Sequence, residues 1–290
     1  MKRTGFLVFL MLCGWLLCVD TGLAAEKKGF VTTKSGNTIY LRKGKRLKGF
    51  QKIRKKKYYF DKKGILQKNC WIEEEGDRYR ANEKGVIQTG FWTGKKGNTF
   101  YLDKDGKAKY GWQQIKGAYY YFKRSSGAMV KNKTIDGIRL SKSGKARVTS
   151  ANRNTLLTYV LAQKVVEQVV APTMSREQAL RVCFEWVMNK PYRTVRFPFQ
   201  SHEGWEVDYA NDIFIGGGGT CYSDAAAFAF LANAIGYNDV CVSSSGEHGW
   251  TEINGMVYDP LLVEDKKDER YYGQIKAGSS FKAYYQVRIP

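Results

Sequence analysis

The 290-residue sequence is long enough for two domains that each bury a core, and its 43% hydrophobic and 14% aromatic content excludes a disordered polyelectrolyte. The net charge of +21 is unevenly distributed: residues 26–147 carry 33 basic and 10 acidic side chains, whereas residues 148–290 carry 13 and 16. The sequence therefore predicts a basic module followed by a near-neutral one, with different partners.

The first 25 residues have the pattern of an export signal. A positively charged start precedes an apolar run from Phe6 to Cys18, and residues 22–25 contain small side chains suited to a signal peptidase. The apolar run is shorter than the roughly 20 residues that span a bilayer. We therefore expect residues 1–25 to be a cleaved signal peptide, with no membrane span left after cleavage.

Residues 26–147 repeat themselves. Aromatic residues open successive units every 20 or 21 residues, and glycines close the units at the same interval. Strand-like runs in each unit predict one β-hairpin per repeat, and a lone hairpin is only marginally stable in water. We therefore expect an all-β solenoid of stacked hairpins with ~20-residue repeats. The openers are Phe30, Phe50, Trp71, Trp92 and Trp112, and the closing glycines are Gly44, Gly64, Gly85, Gly106 and Gly127.

One repeat carries a recognisable pattern. Gly111-Trp112, the run from Ala118 to Phe122 and Gly127-Ala128-Met129 resemble the cell-wall-binding repeats of the choline-binding and glucan-binding families. The resemblance implies that aromatic side chains of adjacent hairpins bind wall choline or α-glucan. The candidate ligand-binding aromatics are Trp92, Trp112, Tyr119, Tyr120 and Tyr121.

Aromatic faces attract quaternary ammonium groups, and the positive charge of residues 26–147 favours an anionic wall polymer such as teichoic acid. Nucleic acid is not expected as a partner, because the chain is exported and carries no nucleic-acid-binding motif. The alternative is a spacer in which every aromatic side chain is core between hairpins.

Residues 148–290 are predicted to form an α+β domain. Apolar spacing predicts a helix over residues 154–170, and the capping-box sequence at residues 175–178 predicts a second helix ending near Met188. A loop-rich stretch is expected as far as Ile215, before a run of four glycines.

Cys221 lies at the start of a predicted alanine-rich helix, directly after the glycine run 216–219. A helix N-terminus stabilises a thiolate, and glycines allow a substrate close to the backbone. Cys221 is therefore the candidate nucleophile. No metal site is expected, because no two cysteines have the CxxC spacing of a zinc-ligand pair and the sequence contains two histidines. Cys183 and Cys241 are expected to be buried thiols, with a disulfide between them as the alternative.

Asn254-Gly255 is a strong signal for a two-residue hairpin turn. If it is the turn, Ile253 faces Met256 and His248 lies diagonal to Asp259, within reach once the side chains lean together. His248 is then the candidate base, and Asp259 the acid that orients it.

Other residues near this site are weaker candidates. Glu252 shares the strand face with His248 but lies roughly 13 Å along it, and His202 has no expected acid partner. Trp205, Tyr209 and Trp250 are candidate cleft-lining residues, with core packing as the alternative.

The segments Gly219-Thr220-Cys221, His248 to Ile253 and Tyr258-Asp259-Pro260, in this order, resemble the transglutaminase-like superfamily of papain-like thiol enzymes. The resemblance implies a papain-like α+β catalytic domain over residues 148–290, a triad of Cys221, His248 and Asp259, and a thioester intermediate, with no cofactor. It leaves the outcome open, because the superfamily includes cross-linkers, peptidases, deamidases and inactive copies.

Two functions follow as hypotheses. The first is a secreted thiol enzyme, bound to a Gram-positive cell wall by its repeats, that acts on a glutamine carboxamide or peptide bond of a peptide or protein. The second is a non-catalytic wall-binding or scaffold protein whose C-terminal domain keeps only the fold.

Overall fold

The computed structural model describes residues 28–277 and 279–290, so the signal peptide predicted for residues 1–25 lies outside the described residues. The chain forms two compact units that divide between Gln67 and Lys68. The division falls inside the repeat region, because the later repeats belong to the same unit as the C-terminal helices. A domain boundary at residue 147 therefore remains a prediction.

The first unit consists of hairpin strands, as the aromatic and glycine spacing predicts. A three-stranded antiparallel sheet and a separate hairpin are formed. Phe60, near the end of this unit, is fully buried. The sheet contains β1 (Gly29–Thr32), β2 (Thr38–Arg42) and β3 (Lys45–Arg46), and the hairpin contains β4 (Gly49–Ile53) and β5 (Lys56–Phe60).

The second unit begins with four more antiparallel hairpins, so the described repeat region is all-β. Three closing segments of this unit donate a backbone hydrogen bond to the preceding hairpin: Ala108 to Arg78, Met129 to Thr99 and Ala146 to Tyr119. The hairpins are β6–β7 (Trp71–Glu74, Asp77–Arg80), β8–β9 (Gly90–Thr93, Thr99–Leu102), β10–β11 (Gly111–Ile115, Ala118–Phe122) and β12–β13 (Thr134–Ile135, Ile138–Arg139).

Several closing turns share one construction, in which an Asp or Asn side chain accepts backbone N–H groups of the turn, as at Asp61, Asn82 and Asp103. The side-chain oxygen of Asp103 accepts the backbone N–H groups of Asp105 and Lys107, each at 2.9 Å. Gly106 has φ +84°, and a Cβ there would lie 2.4 Å from the side chain of Ile87. Only glycine combines this left-handed conformation with so close a contact. The left-handed conformation recurs at the other closing glycines, which explains the glycine spacing of the repeat.

Residues 150–235 are mainly helical. The first two helices and the fourth agree with the sequence predictions, and the capping box between Ser175 and Gln178 is formed. The third lies where we expected a loop. Its N-cap is Gly204, which has no side chain that would mark a helix start in the sequence. The helical spacing of its buried residues Trp205, Tyr209 and Ile213 therefore did not lead to a helix prediction. The helices are α1 (Arg153–Val169), α2 (Arg176–Met188), α3 (Trp205–Phe214) and α4 (Cys221–Ala234).

A five-stranded antiparallel sheet follows, with the order β17–β16–β15–β14–β18. The predicted register is confirmed where Ile253 pairs with Met256. The strand that begins at Met256 ends at Tyr258, one residue earlier than expected, and Asp259 is instead the N-cap of the next helix. The elements are β14 (Val240–Ser244), β15 (Gly249–Ile253), β16 (Met256–Tyr258), α5 (Pro260–Lys266), a 3-10 helix (Glu269–Tyr271), β17 (Tyr272–Ile275) and β18 (Tyr285–Ile289).

The core of the second unit is centred on α4, whose residues are all buried. The described cysteines form no disulfide. Cys183 is buried as expected, and burial raises the pKa of its thiol to about 12. Cys241 is only partly buried, contrary to expectation, because it lies on the face of β14 that pairs it with Glu252 and Arg288.

Candidate active site

Cys221 is the first residue of α4, at the positive end of a fully buried helix. The turn before it is held by the backbone N–H of Thr220, which donates to the Ser223 hydroxyl at 3.2 Å. That hydroxyl donates to Asp212 on α3 at 3.1 Å. A Cβ at Gly219 would lie 2.3 Å from the Cβ of Ser223, so the glycine before the cysteine lets the turn close.

His248 immediately precedes β15, which packs against the start of α4. A Cβ at Gly249 would lie 2.9 Å from the Cα of Tyr222, so this glycine allows the strand to approach the helix. The Tyr222 hydroxyl donates to the carbonyl of Gly246 at 3.1 Å, which holds the loop before His248. The hairpin therefore delivers the imidazole to the first turn of α4.

The structure brings His248 and Asp259 together, with Nε2 and Oδ2 2.5 Å apart. Asp259 is 0% exposed, and its Oδ1 accepts the backbone N–H of Leu262 at 3.0 Å. One carboxylate thus caps α5 and orients the imidazole. Since Nε2 faces Asp259, Nδ1 is the ring nitrogen left for Cys221, whose side chain interacts with the imidazole.

The charge state of His248 follows from these contacts. Burial lowers the pKa of His248. Hydrogen bonds to Asp259 and Cys221, and the negative charges of these two groups, raise it by more than burial lowers it, so that the pKa is about 10. The imidazolium is therefore the prevailing form at neutral pH. A protonated imidazole beside a cysteine favours the thiolate, which is the nucleophilic form.

The competing residues have other partners. Glu252 accepts hydrogen bonds from the Trp250 indole at 3.0 Å and from the Lys276 ammonium at 2.8 Å. His202 is largely exposed and does have an acid nearby, contrary to expectation, with Nε2 3.6 Å from the Asp208 carboxylate.

Two of the predicted cleft-lining residues are in the core. Trp205 and Tyr209 are 3% and 1% exposed, because α3 packs them under α4 against Phe199 and Tyr222. Trp250 is also buried, but its ring stacks on the imidazole of His248 with centroids 6.4 Å apart. Trp250 therefore packs against the imidazole of His248 and does not line an open cleft.

Tyr192 and Asp224 are two residues near Cys221 that were not predicted from the sequence. Tyr192 pairs with Gly219 through an isolated parallel bridge and is 53% exposed. Burial, and then the charges of Cys221 and Asp224, raise the pKa of its phenol. No sequence motif includes position 192. Asp224 follows Cys221 by three residues in the predicted helix, and this helical spacing could have identified it.

The candidate wall-ligand aromatics are mostly buried, which favours the alternative of core packing for the buried ones. Tyr119, Tyr120 and Tyr121 are 7–8% exposed. Tyr119 and Tyr121 belong to the core shared with the helices, whereas Tyr120 packs with Ile115 and Phe122 in the hairpins. Trp112 is 2% exposed: its ring stacks on Tyr159 of α1, and its indole N–H donates to Asp136 at 2.7 Å.

Trp92 is the partly exposed member of the five. It borders a cavity of about 570 Å³ that is also lined by Arg80, Asn82 and Lys95. The Arg80 guanidinium lies over the Trp92 ring at 4.8 Å, and its Nη2 donates to the Asn69 side chain at 2.6 Å. A cationic group of the chain itself therefore covers this aromatic face.

Among residues 28–277 and 279–290, no group of three or more acidic, histidine or cysteine side chains could hold a metal ion. Within the same ranges, no helix has the length and apolar character needed to cross a membrane.

The comparisons with known proteins concern the repeats. Residues 88–133 match the family model of the choline-binding repeat, and residues 48–66 match that of a cell-wall-binding repeat described as putative. A comparison with curated proteins found no match. The chain thus carries cell-wall-binding repeats of the choline-binding type, which indicates a cell-surface location.

Among solved structures, choline-binding protein F from Streptococcus pneumoniae, crystallised with a peptidoglycan analogue, is 26% identical with a TM-score of 0.39. The match covers 42% of this chain and 40% of that one. The modular autolysin LytC from the same organism is 25% identical, with a TM-score of 0.36, over 43% of this chain and 30% of that one. This chain therefore spans less than half of either protein.

Proposed function

We propose that the chain is a secreted thiol enzyme that acts on amide bonds at the bacterial surface and is bound to the wall polymer by its repeats. The observation that carries the proposal is the series of Cys221, His248 and Asp259, in which His248 is hydrogen-bonded to Asp259 and interacts with Cys221. It has the order of groups that nucleophilic catalysis by a thiol requires.

The chemistry follows from this geometry. The Cys221 thiolate attacks the amide carbonyl carbon, and the carbonyl electrons move onto oxygen, where the Cys221 backbone N–H at the helix start is placed to donate. His248 then protonates the departing nitrogen as the C–N bond breaks, which leaves a thioester. Water or an amine attacks this thioester, gives its proton to His248 and regenerates the thiolate. Asp259 stabilises the imidazolium at each stage.

A non-catalytic wall-binding protein is the second candidate. The observation that favours it is the position of the family matches, which cover residues 48–66 and 88–133 and none of residues 148–290. In that case the C-terminal helices would serve as a scaffold packed on the last repeats through Trp112 and Tyr159.

Turnover separates the two candidates. The full mature chain is incubated with glutamine-containing peptides and wall peptides, while ammonia release, amine incorporation and new amino termini are followed. Cys221→Ala is expected to abolish every signal, and Cys241→Ala serves as the matched control that keeps them. Equal signals from the wild type and Cys221→Ala would leave the scaffold function.

Wall binding is tested on the same proteins. We expect the full chain and Cys221→Ala to sediment equally with Gram-positive walls, because the repeats do not depend on the cysteine. Competition with choline, glucan or high salt distinguishes an aromatic site from charge attraction. Failure to sediment at low salt would contradict a wall-binding role.

A further inference from the structure

A basic groove lies where the last repeats meet the C-terminal helices, at the opposite end of α4 from Cys221. It has a volume of about 480 Å³, and all of its lining residues belong to the second unit. Four of the lining side chains are cationic, and none of the lining residues is acidic. The cationic residues are Lys123, Arg124, Lys133 and Arg176.

Arg124 is the fixed cation of this basic groove. Its Nε donates to the carbonyl of Ala234 at the end of α4 at 2.9 Å, and its Nη1 donates to the Tyr121 hydroxyl at 2.7 Å. A Cβ at Gly236 would lie 3.6 Å from the Cδ of Arg124, so the chain after α4 packs along the arginine stem. Among the described residues, no carboxylate forms an ion pair with this guanidinium, which has further N–H donors to offer.

The other three cations come from the helices and from the last hairpins. Arg176 is the first residue of α2, and its guanidinium lies over the Tyr237 ring at 4.6 Å. Lys123 and Lys133 are exposed, and within the described part of the chain their ammonium groups make no hydrogen bond or ion pair. Like charges gathered without a partner repel one another, so a bound anion would stabilise this arrangement.

The acids next in sequence to the lining residues do not neutralise the groove. Oδ2 of Asp136 accepts the indole N–H of Trp112 at 2.7 Å, and Asp239 forms an ion pair with Arg288 at 3.2 Å. Glu177 is exposed in the first turn of α2. Within the described residues, none of these three acids forms an ion pair with a lining residue. The compensating negative charge would therefore come from outside the chain.

The remaining lining of the groove is largely apolar. Tyr121 and Val130 are 8% and 5% exposed, and Ile135 and Ile235 are partly buried. The more buried apolar side chains form the floor, and the exposed cations form the rim. An occupant that suits both would carry regularly spaced negative charges joined by uncharged carbon units.

A polymer of phosphodiesters joined by short polyol units has this structure. Its phosphate oxygens accept hydrogen bonds from guanidinium and ammonium groups, and its carbon units can lie on an apolar floor. An acidic polypeptide would instead bring backbone amides against that floor, and an amide that loses its hydration without a hydrogen-bond partner is costly. The groove therefore favours the phosphodiester polymer.

We propose that this basic groove binds the phosphodiester backbone of an anionic wall polymer. The inference rests on the wall-binding part of the proposed function and adds a contact outside the aromatic faces of the repeats. The phosphate oxygens accept hydrogen bonds from Arg124 and Arg176, and Lys123 and Lys133 attract the polymer at the rim. Because repeat hairpins and the ends of α2 and α4 build the groove together, the polymer contacts the C-terminal helices as well as the repeats.

The test uses synthetic poly(glycerol phosphate), which contains neither choline nor sugar. The polymer is immobilised, and binding of the full mature chain at low salt is measured by biolayer interferometry. The double variant Lys123→Gln with Lys133→Gln should bind about tenfold more weakly than the wild type, since one exposed ion pair contributes about threefold. Arg176→Gln alone should weaken binding about threefold for the same reason.

The matched control is the double variant Lys142→Gln with Lys145→Gln. It removes the same charge from two exposed side chains of the next closing turn, and neither of them lines the groove. Its affinity should stay within about twofold of that of the wild type, because charges outside the groove act only through screened, long-range attraction.

Three results would overturn the inference. Equal weakening in the two double variants would mean that net charge, and not the groove, attracts the polymer. An unchanged affinity of Arg176→Gln would mean that the helices take no part. If polyglutamate of equal length binds as tightly and responds to the same substitutions, the assignment to a phosphodiester is wrong.

Sedimentation with walls separates this inference from the proposed function. A wild type that sediments with Gram-positive walls but does not bind poly(glycerol phosphate) overturns the role of the groove and leaves wall binding intact. If the wild type fails to sediment at low salt, the wall-binding function fails, and the assignment of the groove to a wall polymer fails with it.

Discussion

Replacing Asp259 by asparagine removes the negative charge that faces His248 and keeps the shape of the side chain. Asparagine caps a helix about as well as aspartate, and its oxygen can still accept the Leu262 N–H, so α5 should remain folded. The pKa of His248, now about 10, should fall by about 2, the usual effect of one adjacent opposite charge. This corresponds to about 3 kcal/mol of lost stabilisation of the imidazolium.

The titration can be followed by histidine NMR, because the chain has two histidines. The His202 signal should be unchanged between the proteins, since it lies in the loop before α3. Asp268→Asn is the matched control, because Asp268 also caps a short helix, by accepting the Arg270 N–H, and makes no contact with His248. An unchanged His248 titration in Asp259→Asn would refute the assignment of Asp259 as its partner.

The same shift predicts a stability change with pH. The pKa of His248 is raised in the folded state, so its stabilising contribution is complete below about 6.5 and is lost as the pH rises towards 10. The free energy of unfolding of the wild type, measured in urea, should therefore decrease over this pH range, and that of Asp259→Asn should decrease less. Equal declines in the two proteins would contradict this account.

Three further outcomes are expected. Arg80→Gln should uncover the Trp92 ring and increase the affinity for choline in calorimetric titration; an unchanged affinity would mean that the guanidinium does not compete for this face. Trp112→Ala should cost about 3–5 kcal/mol in denaturant unfolding, because the buried ring and its bond to Asp136 are lost, and a near-neutral effect would contradict its structural role. Asp224→Asn should leave the melting temperature unchanged near pH 4 and raise it increasingly at higher pH. At higher pH only the wild type must either ionise Asp224 in its buried position or keep it protonated, and both cost stability. A difference in melting temperature that does not change with pH would contradict the burial of Asp224.

The features that sequence alone predicted are local ones. The glycine and aromatic spacing predicted the hairpins because each turn is built within a few residues, as at Asp103 and Gly106. The Asn254-Gly255 turn set the register that places His248 near Asp259, since register propagates along paired strands. The exact end of that strand was missed, because it depends on Asp259 becoming a helix cap.

The features that were missed depend on tertiary packing. Trp112 fits a ligand-binding pattern, but α1 brings Tyr159 onto its ring, and no local signal in the repeat shows this. Helix α3 begins at Gly204 without a capping side chain, so its aromatic residues looked like loop residues facing a cleft. Asp224 stands out only once the burial of α4 and the approach of α5 leave it unpaired.

The central claim is that Cys221 is an activated nucleophile, and its reactivity at low pH tests this most directly. The rate of reaction of Cys221 with 2,2′-dipyridyl disulfide is measured between pH 4 and 8, with free cysteine as the reference thiol. The account predicts that at pH 5 Cys221 reacts at least about 100-fold faster than free cysteine, and that His248→Ala removes the difference. Parallel pH profiles for Cys221 and free cysteine would contradict it.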